Sequence, residues 1–199
     1  MNLYVETNFL LEIAFRQEEE RPAIDLLEAC ERGTVGLVVP DFSIAEAVTN
    51  LARRRNERRD LQQRLTTELS ELSRSVVFRE EARPLQGASG FLARAQSEQQ
   101  ASLGATIRRT LAVAQVISLD REVWDRSTAY RDLSPQDALV IASVTVHLER
   151  NRPTAGIFVT RNSRDFGSEE IVADLDRLAC KTVFHFRDAL RLVQRPSRL

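Results

Sequence analysis

Four acidic side chains stand where a chain of strands and helices turns. Glu6 follows the apolar run Leu3 to Val5, Glu46 lies in SIAEAVTNL, Asp137 in SPQDALVIASV, and Asp165 in TRNSRDF. The carboxylate of Glu6 is flanked by core-seeking residues, and an ionised carboxylate stripped of water is costly unless something pairs with it. In an open parallel sheet the ligand crevice lies beyond the carboxyl ends of the strands, and all four acids can be brought to that edge. Two unit charges about 4 Å apart repel by roughly 4 kcal/mol at an effective dielectric of 20, and a cluster of four contains several such pairs. Protonation relieves one pair, whereas a divalent cation relieves them all. An oxygen-only donor set without His or Cys suits Mg²⁺ or Mn²⁺. Helix N-termini behind Glu46 and Asp137 would add partial positive charge to such a site.

Each acid also has a plainer use. Ser43-x-x-Glu46 has the form of a capping box, and Ser134-x-x-Asp137 is close to one. Glu6 could pair with a buried Arg, and Asp165 could simply serve a turn. These uses account for the acids one at a time and leave their common location unexplained.

The elements that would position them can be read from periodicity. Leu3 to Val5 predicts a buried strand, with helices from about Asn8 to Arg16 and from Pro22 to Glu31, where Gly33 follows the end. Val35 to Val39 predicts a second strand, and a long helix opens at Ser43 and runs towards Ser73. PLQGASG, residues 84 to 90, reads as a loop, and Phe91 to Val116 as a helix. Asp120 caps a helix towards Tyr130. Ser134 and Pro135 open the next helix as N-cap and first helical residue. Ala155 to Thr160 and Thr182 to Phe186 predict strands, with helices from Glu169 to Leu178 and from Phe186 to Val193. Strands alternating with helices imply an α/β domain with a mainly parallel sheet. Residues 52 to 125 hold no comparable strand and read as a helical insertion within one domain spanning residues 1 to 199.

Composition excludes several classes. A charged fraction of 29% and an apolar fraction of 43% describe an ordinary globular chain. A net charge of −1 gives no whole-molecule attraction for polyanions, so any nucleic-acid site must come from local charge. Residues 53 to 64 supply it, with six Arg against one Glu and one Asp; Arg53, Arg54, Arg55, Arg58 and Arg59 are the candidates, though a solvated helix face would look the same. Cys30 and Cys180 are far apart without a CxxC, which fits a reducing cytoplasm, and no apolar run approaches the roughly 20 residues that span a bilayer. His147 and His185 lack companions at ligand spacing and read as structural, while Trp124 and the Phe residues read as core.

YVETN, SIAEAVTNL, SPQDALVIASV and FVTRNSRDF, in this order, resemble the four acidic motifs of the PIN-domain nucleases, which include the toxin ribonucleases of type II toxin–antitoxin modules. The resemblance covers the α/β framework and leaves out residues 52 to 125. It implies a three-layer α/β fold and a metal-dependent ribonuclease, with Glu6, Glu46, Asp137 and Asp165 as catalytic and metal-holding residues. Thr7, Asn8, Thr160 and Asn162 would be supporting polar groups, Mg²⁺ or Mn²⁺ the cofactor, and RNA the partner. An antitoxin-like protein or a second copy of the chain are further partners that it admits. The chain departs from the family pattern by having Glu6 where Asp is usual, and by its helical insertion. The competing reading is a PIN-like nucleic-acid-binding or regulatory protein with weak catalysis. An aspartyl-phosphate phosphatase is a poorer match, because Asn8 stands where a second Asp is needed and Lys181 comes late.

Overall fold

The computed structural model describes residues 1–194; the last five residues of the predicted domain lie outside it. Four short apolar runs and one less obvious segment form the five strands: β1 (Asn2–Val5), β2 (Gly36–Pro40), β3 (Ala114–Ile117), β4 (Gly156–Val159) and β5 (Cys180–Val183). They pair in the order β3-β2-β1-β4-β5, every pairing parallel. The fold is therefore the expected α/β architecture.

Helices cover both faces, as an all-parallel sheet requires. They are α1 (Thr7–Phe15), α2 (Glu20–Glu31), α3 (Asp41–Leu72), α4 (Arg79–Ala82), α5 (Ala88–Val113), α6 (Arg121–Ser127), α7 (Pro135–Asn151), α8 (Ser163–Phe166), α9 (Glu169–Arg177) and α10 (Phe186–Gln194). Strand side chains alternate between two cores. Leu3, Val5, Leu37, Val39, Ile157 and Val159 pack with Phe9, Leu26, Leu103 and Phe186 on one face. Tyr4, Val38 and Phe158 point the other way, onto Ile141, Val144, Phe166 and Leu175. Tyr4 Oη also meets Nδ1 of the buried His147 at 3.0 Å, a structural use of that histidine.

Between α3 and β3 the chain leaves the sheet as two long helices. Arg58 bonds Gln99 and Thr66 bonds Ser89, so α3 and α5 run antiparallel. With 32 residues, α3 is about 48 Å long at 1.5 Å per residue. The proximal part of α5 belongs to the core through Leu103, Thr106 and Thr110, whereas Val76, Val77, Phe78 and Phe91 at the far end are exposed.

Several elements differ from the sequence reading. Helix α5 stops at Val113 and Ala114–Ile117 is a strand: the segment pairs with β2 at the sheet edge, a long-range partner that outweighs local helical preference. PLQGASG is no loop, since a 3₁₀ turn over Arg83–Gly87 leads directly into α5 at Ala88. Strand β5 starts at Cys180, two residues earlier than predicted. Trp124 is 53% exposed on α6 and so lies outside the core, because that helix buries Val123 instead. Among the described residues, no helix is long and apolar enough to cross a membrane.

Candidate active site

The strand order places β1, β2 and β3 to one side and β4, β5 to the other, so the chain changes direction between β1 and β4. That switch point is where a parallel sheet opens a crevice at its carboxyl edge. Val5 pairs with Val159, and the next residues on the two strands are Glu6 and Thr160. Glu6 thus stands at the mouth of the crevice for a topological reason.

Glu6 is the N-cap of α1, in extended conformation, and its Oε2 accepts the Asn8 amide at 2.7 Å. Only 4% of the residue is exposed, and Oε1 has no hydrogen-bond partner among the described residues. Burial pushes its pKa up to about 7; Asn8 and the nearby Thr160 hold it back from rising further, and the Glu46 carboxylate adds to the rise. At the N-terminus of α1 the helix dipole favours negative charge, but it does not cancel this desolvation.

Glu46 reaches the site from α3. That helix starts at Asp41, capped by Pro40 without a side-chain bond, so Glu46 lies in its second turn and the capping-box reading of Ser43 and Glu46 does not hold. Pro40 ends β2 and fixes the backbone direction, which moves the helix start ahead of Ser43. The Thr7 hydroxyl makes a short hydrogen bond to Glu46 Oε2 and also approaches the Ser43 carbonyl, at 3.2 Å. Thr7 therefore ties the start of α1 to α3 and sets the Glu46 carboxylate beside Glu6.

Asp137 does sit in a capping arrangement. Its amide donates to Ser134 Oγ at 3.2 Å, while that hydroxyl donates to Asp137 Oδ2 at 2.5 Å. Asn162 Nδ2 approaches Asp137 Oδ1 at 3.4 Å, and Asn162 Oδ1 accepts the Asp165 amide at 3.3 Å. The Asn162 amide in turn donates to Thr160 Oγ1 at 2.9 Å. Capping and membership of the site are thus compatible uses of one residue. Asp165 sits on the short helix α8 and lines a crevice of about 400 Å³ with Tyr130, Arg131, Leu133 and Arg164.

Two hydrogen-bonded subsets result. Thr7 and Glu46 stand beside Glu6, and Ser134, Asp137, Asn162 and Thr160 form a chain leading to Asp165. Among the described residues no three His, Cys, Asp or Glu side chains stand close enough together to hold a metal ion. The donor chemistry nevertheless suits a hard divalent cation: all donors are oxygens, and Glu6 Oε1 is buried without a partner.

The sequence pattern that defines the PIN domain matches residues 3–166. The chain belongs to the PIN-domain family. This is a family of nucleases that act on nucleic acids and typically use divalent metals. No curated protein and no solved structure matches the chain. The matched span ends at Phe166, just past Asp165, so it includes Glu6, Glu46, Asp137 and Asp165 and runs through α3 and α5.

The arginines of the sequence reading are largely engaged within the protein. Arg53 bonds Asn50, Arg58 bonds Gln99, Arg59 bonds Asn56, and Arg54 lies over the Phe15 ring, 4.8 Å from its centroid. Arg55 lines an apolar groove between α3 and α5. Sequence reasoning overlooked Ser134 as the orienter of Asp137 and Arg164 as a neighbour of Asp165. Ser134 was visible only as a cap, and Arg164 was hidden among many arginines.

Proposed function

We propose that this PIN-domain protein is a metal-dependent ribonuclease that hydrolyses RNA phosphodiester bonds internally, using Mg²⁺ or Mn²⁺ held by Glu6, Glu46, Asp137 and Asp165. The observation that carries the reading is Glu6 itself: a buried carboxylate at the sheet's switch point, with one oxygen bonded and the other unpartnered. A fold that spends stability on such a group gains from it when a cation binds. The bound metal would polarise a phosphoryl oxygen and lower the pKa of water.

The protein's own groups prepare the site. The Asn8 amide fixes one oxygen of Glu6 and leaves the other free. Thr7 orients Glu46, and Ser134 with Asn162 holds Asp137 from both sides. No nucleophilic side chain is required. A carboxylate there can accept a proton from the attacking water.

The second reading, a catalytically weak PIN-like nucleic-acid-binding or regulatory protein, is favoured by the separation of the acids into two subsets and by Glu6 in place of the usual Asp. One assay separates the two: metal-dependent cleavage of single-stranded and structured RNA by the wild type, Glu6→Asp, Glu6→Gln and Asp137→Asn. As a working ligand, Glu6 gives Glu6→Asp activity within about tenfold, about 1.4 kcal/mol in the barrier. Glu6→Gln and Asp137→Asn then lose most of the activity, and EDTA abolishes it. A sharp gain in Glu6→Asp from a negligible baseline favours the binder, and no cleavage by any of the four proteins overturns the ribonuclease reading.

A further inference from the structure

We propose that the crevice beside Asp165 is a nucleotide subsite, in which Arg131 and Arg164 grip the phosphate next to the scissile bond of a single-stranded RNA; the assignment rests on the ribonuclease reading. The crevice lies between the turn after α6 and the start of α9, with α8 at its inner end, and has a volume of about 400 Å³. Its charged lining is Arg131, Asp132, Arg164, Asp165 and Glu170, with Ser168 beside them. The part-exposed Tyr130 and Leu133 provide an apolar wall on which a base can lie, with Ile171 buried behind them. Such pairing of a stacking wall with cationic heads is the usual way to hold one nucleotide without reading its sequence.

These two arginines are exposed at the carboxyl edge and line the crevice that holds Asp165. Most other arginines near the carboxyl edge are committed: Arg161 to Glu18 and Glu19, Arg187 to Glu19, and Arg16 to Glu20. Among the described residues, neither Arg131 nor Arg164 has a carboxylate within 4.0 Å or a side-chain hydrogen bond, although Asp132 and Glu170 line the same crevice. An exposed guanidinium without a partner keeps its fork free for a phosphate.

Position strengthens the case. Arg164 immediately precedes Asp165, and Asn162 links that turn to Asp137, so a phosphate held here lies next to the acids. The arginine run of α3 is further away. Arg53 lies about 10 Å along the helix axis from Glu46, and Arg59 about 20 Å, at 1.5 Å per residue. That run can guide more distant nucleotides but does not position the reacting one.

Binding of fluorescein-labelled oligouridylate is measured by anisotropy over a salt series, in an Asp137→Asn background so that the probe stays intact. Cutting is measured in parallel in otherwise wild-type protein. Arg131→Ala/Arg164→Ala should bind at least tenfold more weakly, with the salt slope reduced by about 1.4, or about 0.7 for each lost phosphate contact. Its thermal unfolding and its response to Mn²⁺ should match the parent's. Arg94→Ala, an exposed arginine on α5, should change nothing. Unchanged affinity and slope in the double variant overturn the subsite, as do equal losses in Arg94→Ala. If the wild type cuts and the double variant cuts equally well, the subsite fails while the ribonuclease reading stands. If the double variant loses binding but the wild type cuts no RNA, the ribonuclease reading fails while the subsite stands. Absence of RNA binding by the parent overturns both.

Discussion

At the scale of single residues, Glu6 is where stability and function oppose each other. Its pKa lies near 7 in the folded protein against 4.5 for the free group, so between those values the folded state binds more protons than the unfolded one. Its contribution is therefore fully present below about pH 4.5 and is lost as the pH rises through about 7; the loss amounts to about 3 kcal/mol at about 1.4 kcal/mol per unit. Glu6→Gln keeps the shape and the acceptor for the Asn8 amide but cannot ionise. It should be more stable than the metal-free wild type at pH 8, by an amount of that order, and indistinguishable from it near pH 4.5. Urea unfolding of both proteins across this range checks the sign, and parallel pH profiles would show that the carboxylate is better solvated than its burial implies. Adding Mn²⁺ at pH 8 should raise the melting temperature of the wild type and not that of Glu6→Gln.

At the scale of elements, two short structures hold the second acidic subset. Ser134 caps α7 and bonds the carboxylate of Asp137, so Ser134→Ala should cost about 1 kcal/mol of stability through the lost cap. It should also lower Mn²⁺ affinity, because Asp137 loses its fixed orientation; Ser134→Asn, which restores a cap but not that contact, separates the two effects. Gly167 closes α8 next to Asp165. A Cβ there would clash with the Ser163 carbonyl, so any side chain forces the turn apart. Gly167→Ala should therefore weaken Mn²⁺ binding more than it lowers overall stability, a comparison that calorimetric titration and urea unfolding make directly. The elements also show what local sequence can carry. β1, β2 and β4 were legible because both of their faces are buried, and α7 because Ser134 and Pro135 mark its start. β3 was not, since AQVI is part-exposed at the sheet edge and continues a helical pattern until β2 claims it. At the site, residue types and motif order made the four acids legible. The helix register that sets Glu46 one turn deeper, and the way Asn162 divides its two ends between Asp137 and Asp165, depend on contacts between segments distant in sequence.

At the scale of the whole molecule, the helix pair α3 and α5 reaches well beyond the sheet, and its two halves are built differently. Near the sheet, Ala47 and Leu103 are buried in the main core with Phe9 and Leu10, and Arg109 on α5 pairs with Glu31 on α2. Beyond Arg58 and Gln99 the helices share little with the rest: Leu69 and Ala82 are buried at the far end, and neither belongs to the main core. Stability should follow the same division, because a helix pair without core contacts is held mainly by its own thin seam. Replacing residues 62 to 95 by a short Gly-rich turn should leave the core's melting temperature within a few degrees and leave the Mn²⁺ response unchanged. Hydrogen exchange in the full chain should show fast exchange over the distal halves of α3 and α5, and slow exchange in β1, β4 and α7. Loss of RNA affinity on shortening, with cutting of a minimal oligonucleotide intact, would assign the extension to gripping longer substrates. Collapse of the shortened protein to an unfolded state would instead show that the distal pair supports the sheet, contrary to the division of contacts.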